Sequence, residues 1–410
     1  MTSDQRAAER VPAAVYIMAC CTFLMSTSEF IIAGLLPDLA ADFGISEARA
    51  GLTVTVFAFG MIGGAPLMAL LTARVQRKVT LASSLVVFSG GMLVSVLTDD
   101  FWVLIAARFV ASVATSGFWT VGGLVAADLA GPARRAGAIA IVQGGGMMAN
   151  VVGVPLGSFA GQMFGWRTAF WALAALAVVA AAVVVTTVPR DRHERPRLSL
   201  RQEVSGVRSL RLWLVLATCV AVAGGTLSVF AFASPMLTGV AGLDASLVPV
   251  ALGVFGVGAT VGQITGGRLG NARPHRTAAI AMVATAVVTG SLLAFCGHSW
   301  AAVALLGLLG FTGMAAFPVL VSLSMHHGSE APLLAAALPI AFVNVGITAG
   351  SFLAGVALES QLAARGPLVV GLAASLLALI PFAALLIMNA RHRPDTRMVD
   401  ATHTPGTIAS

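Results

Sequence analysis

Two residues could do charge chemistry in otherwise apolar surroundings. Glu29 sits in STSEFIIAGLLP (Ser26–Pro37) and Arg108 in FWVLIAARFVASVATSGFW. A charge at mid-bilayer costs about 2.5–3.5 kcal/mol on insertion scales, so such residues have a partner or a task. Glu29 lies eight residues below Pro37, roughly 12 Å, and Arg108 lies seven below Phe101, roughly 10 Å. One acid and one base at one depth point to pairing or mutual electrostatic coupling. Burial and a nearby guanidinium act in opposite senses on a carboxyl's hold on its proton. Movement of the arginine, or arrival of a substrate, would therefore switch Glu29 between taking up and releasing a proton.

The elements that must place these two residues are membrane helices. The chain is 58% hydrophobic and 10% charged, a balance that a soluble domain of this size would not have. Apolar runs of roughly 20 residues, long enough for a hydrocarbon core of about 30 Å, alternate with short charged segments. Twelve spans are expected, near 12–36, 48–71, 79–97, 101–127, 137–163, 167–188, 211–237, 247–270, 276–296, 300–325, 331–358 and 366–389. With both termini in the cytoplasm, inner segments hold 20 of the 24 basic residues and outer segments only Arg49, Arg167 and Arg365, as the positive-inside rule requires. The net charge of +7 follows from this topology, and nucleic acid is not an expected partner. Cys20, Cys21, Cys219 and Cys296 lie inside spans without metal-ligand spacing.

A shift of 198 residues lays Pro37 on Pro235, Gly60 on Gly258, Lys78 on Arg276 and Gly157 on Gly355. Matches at equivalent ends of equivalent spans argue for duplication of a six-helix unit, an architecture that binds solute between its halves near the midplane. The expected organisation is a cytoplasmic N-terminus (1–11), a six-helix half (12–188), a cytoplasmic linker (189–210), a second half (211–389) and a cytoplasmic tail (390–410). A monomer suffices to make a path.

In the fifth span Gly145, Ala149, Gly153, Gly157 and Gly161 recur every four residues. Such a bare helix face allows close approach of another helix. Pro155 should bend or loosen the helix there, and a tight, kinked seam suits the interface between halves. The loop TARVQRKV places Arg74, Arg77 and Lys78 between the second and third spans, for topology or gating. Phe57, Phe118, Trp119, Gln143, Asn150, Phe230 and Asn344 are candidate cavity lining. That lining is mainly apolar with a few hydrogen-bonding groups, which suits amphipathic or modestly polar solutes.

These residues resemble the major facilitator superfamily, specifically its twelve-helix drug:proton antiporter branch, over about residues 12–390. TSEFIIAGLLPDLAADFGIS with GAPLMALLTARVQRK is similar to the subgroup of sugar-efflux permeases, purine-nucleoside exporters and chloramphenicol-resistance exporters. GVPLG (Gly153–Gly157) resembles the antiporter signature of the fifth helix, and Arg108 falls where the family carries its proton-coupling arginine. GWRTAFW (Gly165–Trp171) resembles the usual start of the sixth helix. Ala73 stands at the family's loop aspartate, Gln76 at its glycine and Asn271 at the second-half aspartate, while Ser112 replaces a glycine four residues after the arginine. The resemblance implies an all-α membrane protein of two pseudo-symmetric six-helix halves in a bacterial cell membrane. It implies export of a drug or drug-like solute against protons, with sugars or nucleosides as the alternative cargo. No cofactor is called for beyond the proton motive force.

Other function classes fit poorly. All seven histidines lie in loops, tails or span ends, and no nucleophile constellation appears within the spans, so an embedded enzyme is not expected. No Gly-x-x-x-x-Gly-Lys-Ser/Thr loop exists to couple ATP within this chain. A channel would not need a six-plus-six repeat with one buried acid.

Overall fold

A computed structural model describes residues 12–72, 75–131, 134–189, 208–329 and 331–391, without the side chains of 65–72, 136, 332, 333, 336 and 391. The expected segments 1–11 and 392–410, most of the 189–210 linker, and Arg74 lie outside the described residues. Among the described residues eleven helices are long and apolar enough to cross a membrane, and a further helix pair, Ile32–Phe43 with Glu47–Gly64, passes together with a 118° bend between its members. The second span is Leu52–Thr72.

The first span is longer than its expected 12–36. It comprises Ala13–Phe30 and Ile32–Phe43, which interrupt one another at Ile31 and continue through Pro37 to a left-handed Gly44. Pro37 removes one backbone donor and fits where the helix is already kinked. The seventh span is divided likewise, into Leu210–Ala231 and Ala233–Gly239, with Pro235 in its second piece. The fourth span is Phe101–Ala130, capped by Asp100, whose carboxylate accepts from Trp102 N–H at 2.7 Å. The fifth runs as Arg135–Met148, a π-helical turn at Ala149–Gly153, and Val154–Phe164. Pro155 lacks the N–H that an α-helix would need here, and the wider turn absorbs the defect.

The glycine stripe of the fifth span packs on the first. A Cβ on Gly145 would strike the Ala19 backbone, and one on Gly153, Gly157 or Gly161 would strike Thr27, Ile31 or Leu35. Each partner lies 126 positions earlier, so the two spans run parallel and in register. The eleventh span, Pro332–Leu358, repeats this against the seventh: Gly346 meets Val220 and Gly350 meets Gly224, again at 126. The equal offset is the internal repeat expressed as packing.

One end of the molecule carries Arg77, Lys78, Arg134, Arg135, Arg211, Arg273 and Arg276. The other carries Asp38, Asp42, Glu47, Asp99, Asp100 and Asp244. At this acidic end Arg167 binds both Asp42 and Asp99, the latter at 2.9 Å, and lies over Trp166 at 4.8 Å. Ser246 donates to Asp244 through its hydroxyl and its backbone N–H (2.6 and 2.8 Å), which holds that carboxyl below its usual range.

Gly145→Ala should lose about 1–3 kcal/mol of stability, because the clash is with backbone that cannot step aside. Gly144→Ala, whose added carbon meets nothing within 4 Å, should be neutral. Thermal unfolding in detergent distinguishes the two.

Candidate functional site

Arg108 is fully buried on the fourth span. Its Nη1 donates to the Ser28 carbonyl at 3.0 Å and to Ser28 Oγ at 2.9 Å. Its guanidinium lies 4.3 Å from the Phe57 ring centroid and 5.8 Å from that of Phe170. A desolvated cation over an aromatic face gains about 2 kcal/mol, which offsets part of the cost of burial. The first, second, fourth and sixth spans thus meet on one side chain. Ser28 Oγ is held in turn against Met92 Sδ at 3.5 Å.

Ser28 immediately precedes Glu29, so the two charges do share a level. They do not form an ion pair. Among the described residues no contact of 4.0 Å or less joins Arg108 to Glu29. Arg108 Nε and Nη2 have no hydrogen-bond partner, so the guanidinium keeps unspent donors.

The contacts between halves described here lie toward the acidic end. Thr55 Oγ1 and Ser351 Oγ are 2.8 Å apart, joining the second span to the eleventh. Gly256 receives the backbone of Asn150 and Val151, and Gly253 lies against Pro155, joining the eighth span to the fifth. Phe30 meets Phe230 edge-on at 6.2 Å. Nearer the surface Ser46 donates to Glu359 at 2.7 Å, and Gln162 to the Ala245 carbonyl at 2.8 Å.

The expected lining residues separate into two groups. Phe57, Phe118 and Phe230 are packed rather than cavity-lining: Phe57 supports Arg108, Phe118 is in the core of the first half, and Phe230 stacks on Phe255 at 4.2 Å. Spans buried on several sides bury their large rings wherever room exists, so aromatic character alone did not place them. Trp119, Gln143, Asn150 and Asn344 keep polar capacity. A Cβ on Gly146 would meet the Trp119 ring at 3.0 Å and Ser26 Oγ at 3.3 Å, and Trp119 Nε1 is unpartnered. Gln143 is exposed two turns below Asn150. Asn344 donates to the Ile340 carbonyl at 3.0 Å and leaves Oδ1 unpartnered. It lies on the Thr348–Ser351 stripe that meets Thr55.

The glycine face of the fifth span does not form the seam between halves, since it faces the first span. The neighbouring face, with Asn150, Val151 and Pro155, forms that seam. On the first turn of the third span, Arg77 pairs with Asp128, 51 residues on at the basic end of the fourth span. Lys78 is half-buried beside it. Sequence reasoning missed Ser28 and Asp128. Ser28 could have been flagged as a hydroxyl adjoining the intramembrane acid, and Asp128 as an acid at a span end on the basic side.

Phe57→Leu, which keeps the bulk but removes the ring face, should cost about 2 kcal/mol. Asp128→Asn, in a pair whose side chains are 24% and 51% exposed, should cost less than about 1 kcal/mol. Unfolding midpoints in detergent rank the two.

The profile of the Major Facilitator Superfamily matches residues 18–332. Over 382 residues the chain is 33% identical to a chloramphenicol resistance protein of Streptomyces lividans, covering 92% of this chain and 97% of that one. It is also 33% identical to the transporter YtbD of Bacillus subtilis, covering 88% and 91%. The fold matches a bacterial homologue of the human lysosomal transporter Spinster with a TM-score of 0.73, at 15% identity, over 92% and 96% of the two chains. On the family profile and these relatives, the chain is a multi-pass membrane transporter and belongs to the major facilitator superfamily.

Proposed function

We propose that this transporter is a proton-coupled antiporter that exports a drug or drug-like organic solute from the cytoplasm. The observation that carries the reading is Arg108. It is a fully buried guanidinium held by Ser28, with two partnerless nitrogens and the Glu29 carboxyl on the adjoining residue. Static buried charges rarely improve on apolar replacements in stability, so a switching role accounts for keeping them. In this reading Glu29 accepts a proton from the outer side and releases it inside. Movement of the first span against the fourth changes the distance between Glu29 and Arg108 and so makes the proton step depend on conformation.

The orientation proposed puts the basic end and both termini in the cytoplasm. The described contacts between halves then lie on the outer side, and the solute site proposed lies toward the inner side, at Trp119, Gln143 and Asn344. The solute binds there, largely by apolar contact, with the Trp119 N–H and the Asn344 carbonyl as its hydrogen-bonding partners. One charge crossing 100 mV supplies about 2.3 kcal/mol, enough for more than a tenfold solute gradient. The resistance function named for the Streptomyces lividans relative makes chloramphenicol the first solute to try.

The test uses everted vesicles energised with a proton gradient and a panel of solutes that includes chloramphenicol. Wild type should accumulate at least one solute and lose it on addition of a protonophore. Glu29→Gln and Arg108→Ala should fall to the level of vesicles without the protein. Accumulation by Glu29→Gln that still collapses with the protonophore would remove the proton role assigned to this residue.

A further inference from the structure

A half-open cavity lies on the lipid-facing side of the first half, where Phe59, Val87, Phe109 and Val110 of its rim are exposed. It is bounded by the second, third and fourth spans and has a volume of about 560 Å³, within the range of small-molecule sites. Phe59 and Phe109, with centroids 6.2 Å apart, form one wall, and Val87 and Val113 belong to the others. The second span comes this close to the fourth because Gly60 and Gly64 sit on Ser112 and Ser116. Gly63, between them, faces open space, with nothing within 4 Å of an added Cβ.

The cavity contains one unspent polar group. Ser84 lines it and is 2% exposed, and its Oγ has no hydrogen-bond partner. Hydroxyls in helices usually return to the carbonyl four residues back, as those of Thr22 and Ser95 do here. For Ser84 that carbonyl belongs to Thr80, which instead accepts from Ser83 Oγ at 3.1 Å. A buried hydroxyl without a partner is costly, so the site is complete only when something supplies an acceptor.

Depth narrows what that is. Gly63 lies roughly 16 Å along its helix from the acidic end and Ser84 roughly 10 Å from the basic end, which places the cavity inside a hydrocarbon layer about 30 Å thick. At that level a phospholipid offers only acyl chain, and its ester carbonyls lie at the interface. No charged side chain lines the walls, so an ion would go unneutralised. We infer that this cavity is a lateral binding site for a small, uncharged aromatic solute dissolved in the membrane, with a hydrogen-bond acceptor directed at Ser84. The site stands apart from the path between the halves and does not depend on how transport there is driven.

Benzophenone is a suitable probe, because it is uncharged and aromatic, has one carbonyl, and inserts into C–H bonds on irradiation. The full-length protein is reconstituted in phosphatidylcholine vesicles and irradiated with increasing benzophenone, and the adducts are mapped by mass spectrometry. Labelling of residues 59–64, 83–87 and 109–114 should saturate, whereas lipid-facing positions such as Leu97 and Ile380, 71% and 65% exposed, should label in proportion to concentration. Gly63→Leu, which fills the space, should abolish the saturable component. Ser84→Ala, nearly isosteric and safe for folding, should weaken it about fivefold, the weight of one neutral hydrogen bond. Labelling that never saturates, or that saturates unchanged in Ser84→Ala, would overturn the inference. So would a phospholipid that co-purifies in the cavity and is not displaced by benzophenone.

Discussion

A guanidinium sealed inside the membrane without a carboxylate in contact is the constraint around which the first half is arranged. Arg108 cannot be neutralised in proteins by losing its proton, so the surroundings must supply what water would. They do so with a carbonyl and a hydroxyl from the first span, a ring from the second and a ring from the sixth. None of these groups is charged, and together they leave two of its nitrogens unsatisfied. The arrangement holds only while four spans stay together. It also ties the environment of Glu29 to the position of Arg108, because Ser28 and Glu29 are consecutive residues.

The packing of the remaining spans fits that requirement. Within each half, one pair of parallel spans packs through glycines at a constant offset of 126, on backbone at Gly145, Gly346 and Gly350 and on side chains at Gly153, Gly157 and Gly161. Between halves there are two seams. One seam has a hydroxyl pair, Thr55 with Ser351, and the other sets Gly253 and Gly256 against a π-helical turn beside a proline. The repeat relates these seams in part: Thr55 corresponds to Gly253 at the shift of 198, whereas Gly153, the counterpart of Ser351, faces the first span. The seams are alike in the spans they join and unlike in chemistry.

Much of this was legible in the sequence, and the parts that were not share one cause. The depth match of Glu29 and Arg108 needed only the helical rise and the ends of two apolar runs, and the structure places the guanidinium on Ser28. The four-residue spacing of Gly145, Gly153, Gly157 and Gly161 announced a tight seam, and there is one. The partner of that seam was not readable. In a soluble helix the polar face shows which side is outward, whereas a span that is apolar toward both lipid and neighbours carries no such mark. The same ambiguity assigned Phe57 and Phe118 to a cavity when they are packed. Arg77 finds Asp128 across 51 residues, a pairing that no local motif reveals.

The charged chemistry occupies one half alone. At the shift of 198, Glu29 corresponds to Leu227 and Arg108 to Leu306, both buried and both in the apolar core of the second half. A second intramembrane pair would carry its own desolvation cost and would place another ionisable group beside the same path. On the proposed mechanism one proton site per cycle is enough, and the second half needs only to present a surface against which the first can rock. Duplication supplied two copies of the helical scaffold, and the seam at Gly224, Gly346 and Gly350 shows that the close packing was kept in both. A leucine opposite each charge marks where the halves differ in side-chain chemistry while keeping the same packing.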